Sequence, residues 1–201
     1  MKIFRLALAF LAATASAPAW AHPGHDAGSS FAAGMLHPLT GFDHLATIIL
    51  VGAIAGLLRA RRGLALPVMF VGMMILGFAL AGAGGGFPFA ETIILASMIA
   101  SAAALALLCF SGRDLPLASS LALVALFGAA HGFAHGEGLL GGVGILSFAI
   151  GFIATTSLLM GATYQLMRRS RNAISAYAAG IGIVARQAAT RSAMLKPRPE
   201  A

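Results

Sequence analysis

The chain has 201 residues, 59% of them hydrophobic and 9% charged, with a mean hydropathy of +0.91. A soluble domain carries about 25% charged residues, so this composition excludes an ordinary cytosolic globule and equally a disordered chain. Thirteen basic residues against six acidic ones give a net charge of +7. The basic residues stand between apolar runs rather than on one face, which speaks for membrane topology and against nucleic-acid binding. The single cysteine, Cys109, excludes an intramolecular disulfide and any CxxC metal or redox motif.

In chain order, Lys2 and Arg5 precede an apolar run at 6–13 and then small residues ending Ala19-Trp20-Ala21. A positive start, a short apolar stretch and an A-x-A site read as a secretory signal peptide. Cleavage after Ala21 would remove 1–21 and leave an arm, 22–37, that begins His22-Pro23-Gly24-His25-Asp26 outside the cytoplasm. The other reading is an uncleaved first span, but the run is shorter than the roughly 20 residues a span needs. Apolar segments follow at 38–58, 64–82, 89–110, 116–131 and 139–167. A sixth, 173–185, is short and runs into Arg186, Gln187 and Arg191. Long runs without strand-like alternation predict helices rather than a barrel. The expected fold is all-α, a polytopic transmembrane helix bundle over 38–185 with five spans and a marginal sixth, followed by a basic tail, 186–201.

Loop charges orient the bundle. With the mature N-terminus outside, Arg59, Arg61 and Arg62 fall inside, the uncharged connection 82–88 outside, Arg113 inside, the turn at 131–138 outside, and Arg168, Arg169 and Arg171 inside. Each of these loops obeys the positive-inside rule. In a bacterium the chain would then be a multi-pass inner-membrane protein with a periplasmic N-terminus. The tail is the exception, because a full sixth span would carry Lys196 and Arg198 outside.

Ionisable residues within apolar segments are costly, and so mark candidate functional sites. One set is His37-Pro38-Leu39-Thr40-Gly41-Phe42-Asp43-His44 at the start of span one; another is His131-Gly132-Phe133-Ala134-His135-Gly136-Glu137 at the end of span four; Glu91 opens span three. His44 precedes Arg59 by 15 residues and His131 follows Pro116 by 15. Both therefore stand roughly 22 Å above the cytoplasmic boundary of a core about 30 Å thick, and the whole set converges on the outer third of the membrane.

Imidazole and carboxylate without thiolate suit borderline divalent ions such as Ni, Co, Zn and Cu. His131 and His135 are four apart and share a helix face. Asp43 is a ligand or an acceptor that fixes a histidine tautomer. His37 and His44 share an ion easily only if Pro38 and Gly41 delay or break the helix between them. Plainer readings stand beside these. Thr40-x-x-Asp43 matches a capping box, a histidine near the end of span four complements the helix dipole, and Glu91 and Glu137 can be merely solvated. His22 and His25 are either an exposed end or a metal-capture arm. Met69, Met73 and Met74 read as packing.

At these residues the chain resembles the HupE/UreJ family of nickel/cobalt permeases. The resemblance spans the signal peptide, the HPGH start, HPLTGFDH in span one and AHGFAHGEG around span four. The family's H-x5-D-H pattern falls on His37, Asp43 and His44, and its HGxAHGxE pattern on His131, Gly132, Ala134, His135 and Gly136. Here the acid, Glu137, follows Gly136 directly, and Ala130 stands where an aromatic residue is usual. Phe70 and Glu91 occupy the positions of a family phenylalanine in span two and glutamate in span three. The resemblance implies uptake of Ni2+ or Co2+ for metalloenzymes such as hydrogenase or urease, with the metal as a transported ligand and no tightly bound cofactor. There is no GxxxxGK[ST] sequence and hence no ATP-driven step within the chain. An intramembrane zinc hydrolase is the alternative from the same donor set, and a bis-histidine haem protein a third. Thr155, Thr156 and Ser157 in span five, with Ser97 and Ser101 in span three, are the polar residues available deeper in the membrane.

Overall fold

The computed structural model describes residues 30–58, 61–111, 114–137 and 144–194. The signal sequence, His22, His25 and Arg113 lie outside these residues. Among these residues there are six α-helices: α1 (Phe31–Thr40), α2 (Phe42–Leu57), α3 (Ala65–Gly82), α4 (Ala90–Ser111), α5 (Leu117–Glu137) and α6 (Ile145–Met194), with a short 3-10 turn at Arg61–Leu64. No strand occurs among the described residues.

Span one is broken. Helix α1 starts at Phe31, where Ser30 caps it by accepting from the Ala33 N–H, so the arm expected to reach residue 37 is helical from residue 31. Its end is set at His37, whose carbonyl accepts from both the Gly41 N–H and the Thr40 hydroxyl. Gly41 is extended, at φ −85° and ψ 107°, and α2 leaves at an 80° bend. The Thr40–Asp43 capping box does not form, because the Thr40 hydroxyl is spent on His37 and Gly41 is the N-cap of α2.

Helices α3 to α5 begin within a residue of the expected spans, but α5 continues past His131 to Glu137. Gly84, at φ 75°, turns the chain out of α3. The sixth span does not form a separate helix. Helix α6 runs unbroken through Arg168–Asn172 for 50 residues, about 75 Å, more than twice the thickness of a bilayer core. The stretch 168–180 holds no proline, and its one glycine lies at the end, so nothing there forces the turn that a returning span requires.

Among the described residues, four helices are long and apolar enough to cross a membrane, giving five spans if the bent α1–α2 pair counts as one. Their outer surfaces are apolar: Leu76, Ile99 and Leu158 are 58%, 58% and 68% exposed, whereas His44, Thr47, Ser97, Ser101, His131, His135, Thr155 and Thr156 are buried. Polar groups inside and leucines outside invert the arrangement of a soluble protein. They fit a multi-pass bundle whose outer face meets lipid.

Two helix pairs are drawn together by glycine. Gly128, Gly132 and Gly136 of α5 lie against the backbone of Phe70, Met74 and Phe78 of α3, and a Cβ on Gly132 would overlap the Met74 carbonyl oxygen. Gly52 and Gly56 of α2 lie likewise against Met160 and Tyr164 of α6. In each pair the residue numbers rise together, so the helices are parallel, as alternate threading through a membrane requires. Such small-residue seams replace the hydrophobic effect, which cannot drive helices together within lipid. At the far end from the histidines, Arg171 donates to the carbonyls of Leu57 and Leu58, satisfying the end of α2 and placing a cation at its negative pole.

Candidate metal site

The break at Gly41 turns α1 across α6, with Gly34 against Phe148 and Gly151 against Phe31. That crossing carries His37 back over the start of α2. Its ring lies 4.5 Å from that of His135 and 6.1 Å from that of His44. The His44 ring is in turn 4.8 Å from His131 and 4.6 Å from His135. Four histidines from α1, α2 and α5 thus meet in one cluster. His44, His131 and His135 are 4%, 1% and 9% exposed.

Two of the imidazoles have a defined tautomer. His131 Nδ1 lies 2.8 Å from the Phe127 carbonyl oxygen, which can only accept, so Nδ1 carries the proton. His44 Nδ1 lies 2.7 Å from Asp43 Oδ1, and a carboxylate likewise accepts. The same Oδ1 takes the His44 backbone N–H at 2.9 Å. With the rings neutral, the remaining nitrogen, Nε2, presents a lone pair in both, and in both it is buried without a hydrogen-bond partner. A buried unpaired acceptor costs about 1–3 kcal/mol. A proton donor or a cation placed among these nitrogens would relieve that cost.

Aromatic rings wall the cluster. Phe70, fully buried, lies 5.3 Å from His131. Phe152 lies 4.3 Å from His135 and 6.2 Å from His37, and Phe148 5.6 Å from His37. Sequence reasoning overlooked Phe148 and Phe152; their spacing of four on span five is the only signal, and it is shared by any packed helix face. Thr47, one turn inward of His44, was also not singled out. Glu91 and Glu137 are exposed at the same end of the bundle, in the first turn of α4 and at the last residue of α5, outside these ring contacts. Of the polar residues expected deeper, Ser157 is exposed and the others are buried. Met74 belongs to the buried core cluster and Met69 packs against that cluster. Cys109 is exposed on α4.

The rings meet mostly edge to face, and among the described residues no group of three or more His, Cys, Asp or Glu is arranged to hold a metal ion as it stands. Nitrogens bound to one first-row ion lie about 2.0–2.1 Å from it. The ring centroids stand 4.6–4.8 Å apart, so gathering the nitrogens into such a shell takes a rearrangement of the cluster.

The chain matches the HupE / UreJ protein family over residues 8–191. It is 29% identical over 159 residues to Protein HupE of Rhizobium leguminosarum bv. viciae, an alignment that covers 79% of this chain and 81% of that one. No solved structure matches. The broken first span, the glycine-sealed bundle and the histidine cluster are thus the architecture of a membrane protein that belongs to the HupE / UreJ family.

Proposed function

We propose that the protein is a secondary permease that carries Ni2+ or Co2+ across the bacterial inner membrane, with the histidine end facing the periplasm, and supplies the maturation of a metalloenzyme such as hydrogenase or urease. The observation that carries this reading is the pair of buried Nε2 lone pairs of His44 and His131, each held bare by an acceptor on Nδ1. A proton donor or a cation would satisfy them, and neutral imidazole is a preferred ligand of late first-row divalent ions.

In this mechanism His37, half-buried on the tilted α1, meets the ion first. The ion then passes to His44, His131 and His135, and the Asp43 carboxylate offsets part of its charge while holding the His44 ring in orientation. Glu91 and Glu137, exposed at the same end, raise the local concentration of cations before entry. His22 and His25, outside the described residues, extend the same role as a capture arm. The walls formed by Phe70, Phe148 and Phe152 exclude water from the shell, so the ligands replace hydration rather than compete with it. Neutral ligands and one carboxylate hold the ion loosely enough to let it go.

His44→Ala and His131→Ala test the reading. In cells without other nickel importers, each should abolish metal-dependent growth and uptake at limiting metal while the protein stays at wild-type levels in the membrane. Wild-type uptake by both variants would contradict it.

A further inference from the structure

The glycine seams close α3 against α5, α2 against α6 and α1 against α6, but α4 has no part in them. Residues 90–111 hold no glycine, and neither does the first half of α5, 117–127. Where these two stretches face each other a cavity of ≈ 50 Å³ is left. Its floor is Val51 and Ile54 of α2, Leu66 of α3 and Phe127 of α5, all buried. Its sides include Ala100 and Ala104 of α4 and Ser120 and Leu123 of α5. Leu123 is 49% exposed, and Ala100, Ala104 and Ser120 are half-buried. The cavity therefore opens between α4 and α5 onto the outer face of the bundle, which meets lipid.

Polarity and position together say what fills it. The cavity is several times the about 10–15 Å³ that one water needs, yet a buried water also needs 2–4 polar partners. The walls are apolar except for Ser101 and Ser120, and the Ser120 hydroxyl already donates to the Pro116 carbonyl. An alkyl chain needs no such partner. The lining runs from Leu115, just ahead of α5, to Phe127. Between Leu117 and Phe127 the helix rises about 15 Å, half of a core about 30 Å thick. The slot thus spans one leaflet, on the side of the bundle away from the histidines. Arg61 and Arg62 open the 3-10 turn that leads into Leu66, and Gly63 of that turn lies against the backbone of Ala55, next to Ile54. Two arginines therefore stand at the head of the slot, at the level where the phosphates of that leaflet attract basic residues.

We propose that the slot is a phospholipid site: one acyl chain from the leaflet at the arginine end lies between α4 and α5 on Val51, Ile54 and Phe127, and its anionic headgroup lies at the turn that carries Arg61 and Arg62. The chain closes a seam that glycine does not, and so joins α4 to the rest of the bundle. The site requires nothing of the histidine cluster and stands apart from the permease reading.

Native mass spectrometry of the purified full chain tests it, with the protein delipidated in detergent and titrated with phosphatidylglycerol or with phosphatidylethanolamine of the same chains. Wild type should retain one phosphatidylglycerol, bound at least about fivefold more tightly than phosphatidylethanolamine, the worth of one arginine near an anionic headgroup. Arg61→Gln with Arg62→Gln should remove that preference and leave the chain bound. Ala104→Phe, which fills the mouth, should weaken retention of both lipids at least about tenfold. Ala100→Val, a smaller intrusion, should weaken it by less, and carries the test should Ala104→Phe fail to accumulate. Ile99→Phe, on the lipid-facing side of the same helix at 58% exposed, should change nothing. No retained lipid in wild type, equal retention by wild type and the filled variants, or an equal loss in Ile99→Phe would each overturn the site. So would a second copy of the chain that these substitutions displace in place of lipid. An undiminished preference for phosphatidylglycerol in the arginine double variant would overturn the placement of the headgroup.

Discussion

At the scale of single residues, what matters is which nitrogen faces the cluster. Asp43 sets this for His44 by accepting from both its Nδ1 and its backbone N–H. Asp43→Ala should therefore free the ring and weaken Co2+ binding by about 10–100-fold, the usual cost of losing a ligand's orienting partner. Asp43→Asn, whose amide oxygen still accepts from Nδ1, should fall between that variant and wild type in a Co2+ titration of the purified protein. Equal affinities for all three proteins would show that the carboxylate does not position the ring. Polarity in an apolar run made His37, Asp43, His44, His131 and His135 readable from sequence, because such residues are too costly to place in lipid without purpose. The same signal is silent on Phe148 and Phe152, which look like any lipid-facing side chain until α1 folds back across them. It is silent also on the Phe127 carbonyl, which every residue possesses.

At the scale of helices, glycine decides how closely elements approach. Gly132 faces the Met74 carbonyl with no room for a Cβ, whereas Gly72 of α3 has nothing within 4 Å of where a Cβ would stand. Gly132→Val should push α3 from α5 and cost about 1–3 kcal/mol or more, seen as a lower melting temperature and lost protein in membranes; Gly72→Val should change neither by a comparable amount. The converse result would place the seam elsewhere. Apolar run length located α3 and α4 nearly to the residue, since lipid thickness dictates both. It misplaced the end of α5, because His135 and Gly136 interrupt the apolar run although both are buried against protein. Run length also suggested a turn at Arg168–Arg171 where there is none. Arginine ends a hydrophobic segment, yet it is a good helix former, so the backbone of α6 continues where the hydropathy stops. The break at Gly41 was open in the sequence. Pro38 and Gly41 permit it, and the crossing of α1 over α6, through Gly34 and Gly151, requires it.

At the scale of the whole molecule, the bundle is polarised: histidines and the exposed carboxylates Glu91 and Glu137 at one end, and at the other Arg168 on the Tyr164 hydroxyl and Arg171 on the end of α2. On the proposed permease reading, the histidine end would be the entrance, and its donor set would favour a divalent metal over an organic solute. The claim stands or falls on whether imidazoles of this cluster bind the ion. X-ray absorption at the cobalt edge of purified protein loaded with one equivalent of Co2+ measures this most directly. The account predicts a nitrogen/oxygen shell at about 2.0–2.1 Å with the outer-shell scattering of at least two imidazoles, and its loss in the His44→Ala, His131→Ala double variant. An unchanged spectrum in that variant, or a wild-type shell without imidazole scattering, would contradict it.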